Sequence, residues 1–342
     1  MTEIDKRKIT MLLNQIAPDS QLQAIDALNL GFSNRSFRIK ATRPDNSQAN
    51  YVVKQYSSHD TVFGQAAATR AECEHKILAF LRNGGIPCPE PIFFDPLGAI
   101  LGSPVLVTQH IPGEQILAHP ANPLWAEQAP TVAALLARIH ILPCPAALIA
   151  SLPDATIQAT WFLENDTVPD YMQAYPDGES VWHLLRQERP KLTPADPGLV
   201  HGDYWSGNIL WEHGQVTGIL DWENVAFGDP SFDVGNCRME MIIDGMDDAA
   251  DMFLKTYEAD TGKPVVNLGL CELAGARVRR LAEPQDGSQV AVHLAGRRNV
   301  HRRARRACWR QVDCHRPARR HPDPHPGGHR HCRRTAPAAA RR

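Results

Sequence analysis

His201-Gly202-Asp203-Tyr204-Trp205-Ser206-Gly207-Asn208-Ile209-Leu210-Trp211, continued by Val216-Thr217-Gly218-Ile219-Leu220-Asp221-Trp222-Glu223, is the stretch on which the rest of the chain turns. Leu199-Val200 just before it reads as a short strand running into a loop. Asn208 to Trp211 reads as a second strand, and Glu212-His213-Gly214-Gln215 as the turn of a hairpin. Val216 to Leu220 is then the returning strand. Folded about that turn, Asn208 falls opposite Ile219, and Asp221 lies just past the end. An amide oxygen and a carboxylate sit side by side there, and Asp203 opens onto the same place.

Two oxygen ligands from short strands can hold a Mg²⁺ that also takes phosphate oxygens and water. A separate carboxylate beside them can accept the proton of an attacking hydroxyl. Together these are the parts of phosphoryl transfer, in which catalysis is mostly positioning and charge neutralisation.

The pattern HGDxxxxN, a hydrophobic strand ending in Asp221-Trp222-Glu223, and then Gly228-Asp229-Pro230-Ser231-Phe232-Asp233 resembles the aminoglycoside phosphotransferase/choline kinase family of small-molecule kinases. Such polar residues can also do no more than cap turns. Four spaced elements that each make chemical sense speak against that reading. The resemblance runs from residue 27 to about residue 270. It implies an α+β, two-lobe protein-kinase-like fold. A small N-terminal antiparallel-sheet lobe would span residues 1–112, and a larger, mainly helical C-terminal lobe residues 113–276.

The resemblance also implies roles. ATP and Mg²⁺ are the expected cofactors, and a small molecule bearing a hydroxyl is the expected acceptor. Asp203 would accept or orient the hydroxyl proton, with His201 orienting the catalytic loop. Asn208 and Asp221 would bind Mg²⁺, with Glu223 behind them. Gly31, Ser33 and Asn34 lie in a hairpin resembling the one whose backbone N–H groups approach the phosphates. Gln109 and Ile111 lie in a segment resembling the inter-lobe hinge, where backbone groups would meet adenine, and His110 is a connector. Asp229 and Asp233 would brace the loop and a helix N-terminus, and His140 would make a structural hydrogen bond.

Lys54 sits in the apolar strand Tyr51-Val52-Val53-Lys54-Gln55-Tyr56, where a lysine either faces solvent or supplies a point charge to phosphates. Helix 66–83 helps to decide. Glu74, Ile77, Leu78 and Leu81 share one face at helical spacing, while Glu72 points nearly opposite. A carboxylate on an apolar stripe needs a cation, since an orphaned partner of a buried ion pair costs about 3–5 kcal/mol. Lys54 is the natural partner, although a carboxylate at the edge of the stripe can also reach water.

The 342 residues are enough for one large core or two lobes. The charged start, Met1 to Lys8, is no signal segment, and no apolar run is long enough to span a bilayer. The eight cysteines are scattered with no CxxC pair, which suits a reduced, cytoplasmic protein. Between residues 143 and 198 the chain is rich in Pro and Asp, and its shape is not readable. Asp166, Asp170, Asp177, Glu179, Asp244, Asp247, Asp248 and Asp251 could face a cationic acceptor or simply form a solvated acidic surface.

The near balance of 36 basic and 38 acidic residues hides a split. From Arg277 onward, 18 arginines stand against four acids, with no lysine, so the first 276 residues carry a formal charge of −16. Residues 277–342 show no helical or strand period after about Leu281. They read as a nucleic-acid-binding arm, a His/Cys metal segment with poor ligand spacing at His329-Arg330-His331-Cys332, or an out-of-frame stretch of a GC-rich gene. The absence of lysine favours the last. The rival functions are accordingly a catalytically impaired nucleotide-binding pseudokinase and a nucleic-acid-binding protein.

Overall fold

The computed structural model describes residues 5–28, 34–57, 66–119, 124–173 and 177–281, with backbone alone for residues 171 and 276–281. Its first helix, α1 (Lys6–Ile16), starts at Asp5, whose carboxylate accepts from the backbone N–H groups of Arg7 and Lys8. That satisfies donors that the first helical turn leaves unpaired. Ile9, Leu12 and Leu13, at helical spacing, are its buried face.

Five antiparallel strands follow: β1 (Gln21–Leu28), β2 (Asn34–Thr42), β3 (Gln48–Tyr56), β4 (Pro91–Asp95) and β5 (Val105–Gln109), in the order β1-β2-β3-β5-β4. Helix α2 (Ala67–Asn83) connects β3 to β4. The two faces of this sheet follow the period-2 alternation of its strands. Phe37, Ile39, Val53 and Val107 pack with α1, whereas Tyr56 and Leu106 pack with Ile77, Leu78 and Leu81 of α2. Lys54, one residue on from Val53, therefore belongs to the α2 side. Gln21-Leu22-Gln23-Ala24-Ile25-Asp26 is a polar edge strand with a register shift between Leu22 and Ala24, which blurs its alternation.

Beyond Gln109 the chain leaves this sheet. The pair β6 (Glu114–Gln115) hydrogen-bonds to the hairpin of β8 (Ile209–Glu212) and β9 (Gln215–Ile219), and β7 (Gly198–Val200) pairs with β10 (Ala226–Gly228). The rest is helical: α3 (Leu124–His140), the short α4 (Ala146–Ile149), α5 (Ala155–Ala159) and α6 (Asp170–Gln173), then α7 (Gly178–Glu188), α8 (Ser231–Ile243), α9 (Asp247–Thr261) and α10 (Leu268–Leu281). One apolar core joins Leu78 and Leu81 of α2 to Val132 and Leu136 of α3, Ile209 and Ile219 of the hairpin, and Phe253 of α9. Helices α8 and α10 touch closely at Gly235, where an added Cβ would come within 2.6 Å of the backbone of Cys271. Helix α10 continues through residues 277–281, which the sequence pattern assigned to the tail, and residues 282–342 lie outside the described residues. Among the described residues, no helix is long and apolar enough to cross a membrane.

The β8–β9 hairpin departs from its expected register by one residue. His213 and Gly214 both have positive φ (51° and 75°), the signature of a two-residue turn. Glu212 then pairs with Gln215 and Trp211 with Val216, but a bulge at Thr217 sets Leu210 against Gly218 and Ile209 against Ile219. Asn208 ends a 3₁₀ turn (Ser206–Asn208) instead of opening a strand, and its carbonyl accepts from Leu220 N at 2.8 Å. The bulge thus moves Asn208 one residue closer to Asp221 than simple folding about the turn implies.

Candidate active site

The loop from His201 to Trp205 is held by its backbone. Gly202 has φ +81°, and a Cβ there would lie 2.2 Å from the carbonyl oxygen of Asn224, so only glycine fits. The carboxylate of Asp233, in the first turn of α8, accepts from His201 N (2.6 Å) and Gly202 N (2.9 Å). The same carboxylate lies 3.2 Å from Nε2 of His140, whose Nδ1 lies 2.8 Å from the Tyr257 hydroxyl. An ionised carboxylate only accepts, so His140 carries its proton on Nε2 and takes the tyrosine's hydrogen bond on Nδ1.

His201 is fully buried, and burial lowers its pKa below the usual histidine value. Its Nδ1 accepts from Asp203 N (3.2 Å), so Nε2–H donates to the carbonyl of Leu220 (2.9 Å). Both nitrogens are spent on linking the loop to the end of β9, next to Asp221. On the other side, Nδ2 of Asn208 donates to the carbonyl oxygen (2.9 Å) and to Oδ2 (3.0 Å) of Asp203. Asp203, Asn208 and Asp221 therefore come together at one end of the hairpin. Asp221 itself has φ +63°, a conformation uncommon outside glycine and concentrated at functional sites.

A second group of charges meets the first from the sheet side. Lys54 Nζ lies 2.9 Å from Oε2 of Glu74, 2.5 Å from Oδ1 of Asp221 and 3.7 Å from Oε2 of Glu223. Burial alone would lower the pKa of Lys54, but the carboxylates of Asp221, Glu223 and Glu74 together hold it well above the ordinary lysine value. Burial raises that of Glu74; at Asp221 burial also pushes upward, but the Lys54 ammonium, helped by His201 and Arg70, keeps the carboxyl low.

The Tyr56 hydroxyl also donates to Glu74. Glu223 accepts from Nη1 of Arg70 (2.8 Å) and from Nδ2 of Asn34 (2.5 Å). Glu223 is thus bound by side chains of α2 and β2. The side chain of Asn34 also accepts from Ser57 N at 3.3 Å, whereas Gly31 and Ser33 lie outside the described residues. In the connecting segment, Gln109 N donates to Glu90 O (2.9 Å) and His110 N to Asn50 O (3.1 Å). The Ile111 side chain lies against Gly218.

Sequence reasoning missed Arg70, Tyr56 and Glu240. Arg70 stands four residues before Glu74 on the same buried helical face, so its spacing was a usable signal. Glu240, buried in α8, accepts from the backbone N (3.1 Å) and hydroxyl of Ser206, whose Oγ accepts from Ala118 N (3.0 Å). Only the tertiary fold brings those groups together. Of the acids considered for a cationic acceptor, none lines the cavity that borders Asp203, and Asp166, Asp170, Asp177, Glu179, Asp248 and Asp251 are exposed.

Residues 24–267 match the APH phosphotransferase enzyme family. A homoserine kinase of Polaromonas naphthalenivorans is 26% identical over 256 residues, covering 70% of this chain and 73% of that protein. Among solved structures, a macrolide 2'-phosphotransferase from Brachybacterium faecium superposes with a TM-score of 0.55 at 18% identity, over 85% of this chain and 96% of that one. The streptomycin–ATP–APH(2")-IIa ternary complex gives a TM-score of 0.53 at 18% identity, over 80% and 90%.

Proposed function

From the premise that the chain belongs to the phosphotransferase enzyme family and is a small-molecule kinase, we propose that it transfers the γ-phosphoryl group of ATP to a hydroxyl of a small molecule. The observation that carries this reading is the hydrogen bond of Asn208 to Asp203, with the Asn208 carbonyl bonded to Leu220 N next to Asp221, which itself meets Lys54 of the Lys54–Glu74 pair. ATP as the donor is supported by its presence with a related fold in the streptomycin ternary complex.

In this reading Asp203 accepts the hydroxyl proton, and its carboxylate is aimed by Nδ2 of Asn208. His201, neutral and hydrogen-bonded through both nitrogens, orients the loop. Lys54 binds phosphate oxygens as a point charge, and Glu74 fixes its position. A carboxylate and an amide oxygen are hard donors that suit Mg²⁺, which characteristically takes one or two protein ligands and completes its shell with phosphate and water. Asp221 and Asn208 would hold it. The bound metal would neutralise charge on the transferring phosphoryl group. Asn34, Gln109 and Ile111 would meet the nucleotide, and the scattered thiols suit a reduced, cytoplasmic setting.

An ADP-release assay with Mg-ATP over a panel of amino-alcohols, aminosugars and sugars tests the proposal. Acceptor-dependent turnover that Asp203→Asn suppresses supports it. Nucleotide binding without turnover on any acceptor would favour the pseudokinase.

A further inference from the structure

A cavity of about 170 Å³ borders Asp203. Val200, Ala226 and Ala155, which pack together, line it with Gln158 of α5, Asn236 of α8 and Ala274 of α10. Building on the kinase reading, we infer that this cavity receives the acceptor, and that the acceptor is a compact uncharged molecule rich in hydroxyl groups, of monosaccharide or polyol type, rather than a polycation or an amino acid.

Size is the first argument. Pockets that enclose drug-sized ligands run to roughly 300–1,000 Å³, so a multi-ring aminoglycoside would leave most of its rings outside this one.

Charge is the second. Among the described residues no lysine or arginine lines the cavity, so none of these side chains would offset the heavy cost of desolvating an acceptor carboxylate there. The carboxylates that do line it are Asp203, the proposed base, and Asp233. The latter already accepts from His201 N and Gly202 N and lies against Nε2 of His140. Burial raises the pKa of the Cys271 thiol and keeps it neutral. No carboxylate is left whose evident task is to meet an ammonium group.

The third argument is the donor and acceptor set. Gln158, Asn224 and Asn236 present neutral amides beside the alanines and Phe232. The side-chain carbonyl of Asn224 is buried and has no hydrogen-bond partner among the described residues. An orphaned buried acceptor costs about 1–3 kcal/mol, and a ligand hydroxyl donates what it needs. Neutral amides beside apolar side chains read hydroxyls and C–H faces without selecting for charge.

The test is steady-state ADP release with Mg-ATP on the whole chain, paired with calorimetric titration of Mg-ATP. The acceptors are glycerol, glucose and myo-inositol (uncharged), L-homoserine and L-serine (zwitterionic), and choline, streptomycin and hygromycin B (cationic). The best uncharged acceptor is expected to exceed every charged one in kcat/KM by about tenfold or more, the scale on which buried polar groups discriminate. Asn224→Asp, nearly isosteric, should raise KM for that acceptor about tenfold and narrow its lead over choline. Turnover of a cation or zwitterion above all the uncharged compounds overturns the acceptor class and leaves the kinase reading standing. Mg-ATP binding with no acceptor turned over also overturns it. Failure to bind Mg-ATP removes the kinase reading and this inference with it.

Discussion

The Lys54 ammonium lies 2.5 Å from Oδ1 of Asp221 while holding Oε2 of Glu74 at 2.9 Å. One strand residue thus ties α2 to the end of the β8–β9 hairpin. Lys54→Met leaves Glu74 buried without its cation and should cost on the order of 3 kcal/mol in urea unfolding. The Lys54→Met, Glu74→Gln double variant should recover part of that loss, because Glu74, more deeply buried than Asp221, is then no longer an orphaned charge. A double variant less stable than the single one would show that the pair is not the stabilising unit.

Asp203→Asn keeps the shape of the side chain and removes its basicity. With Asp203 as the proposed base, kcat for the best acceptor should fall about 10²–10⁴-fold, with little change in KM for ATP. Wild-type turnover in the variant would remove Asp203 from that role.

Asp233 bears the loop. Its removal in Asp233→Ala strands the N–H groups of His201 and Gly202 and the Nε2–H of His140. At about 1–3 kcal/mol for each buried donor left unpaired, the variant should be destabilised by about 3 kcal/mol or more, read as a lowered urea midpoint. A midpoint equal to that of the wild type would show that the loop is held by other contacts.

Cys88 offers an alkaline test of the core. Burial pushes its thiol pKa from 9.0 up to about 12. A group whose pKa is raised by folding contributes fully below its unfolded value. The contribution is lost as pH rises, here from about 9 toward 12. Stability should therefore fall across that window, and Cys88→Ala should flatten the fall by at most about 1.4 kcal/mol per pH unit. Parallel pH profiles for the two proteins would contradict the buried, protonated thiol.

Much of this architecture is legible in the amino-acid order because local rules and tertiary need agree. The stripe of Glu74, Ile77, Leu78 and Leu81 on α2 is buried as its spacing requires, and Glu72 is exposed. Gly262 closes α9 in the left-handed conformation that glycine favours at a helix end, with Pro264 just beyond it. What was not legible depends on geometry without a local pattern. The bulge at Thr217 that resets the register of Asn208 is held by a hydrogen bond from the Thr217 hydroxyl to the carbonyl of Pro112, over a hundred positions away. The partners of Glu223, Arg70 and Asn34, come from distant elements. Residues 143–198 carry no lasting period because their helices are only four to eleven residues long.

Calorimetric titration of Mg-ATP into the wild-type chain and into Asp221→Ala tests most directly whether Asp203, Asn208 and Asp221 form one metal-assisted phosphoryl-transfer site. Saturable, Mg²⁺-dependent binding to the wild type that is lost in Asp221→Ala is the predicted result. Equal Mg-ATP affinity in the two proteins would contradict it.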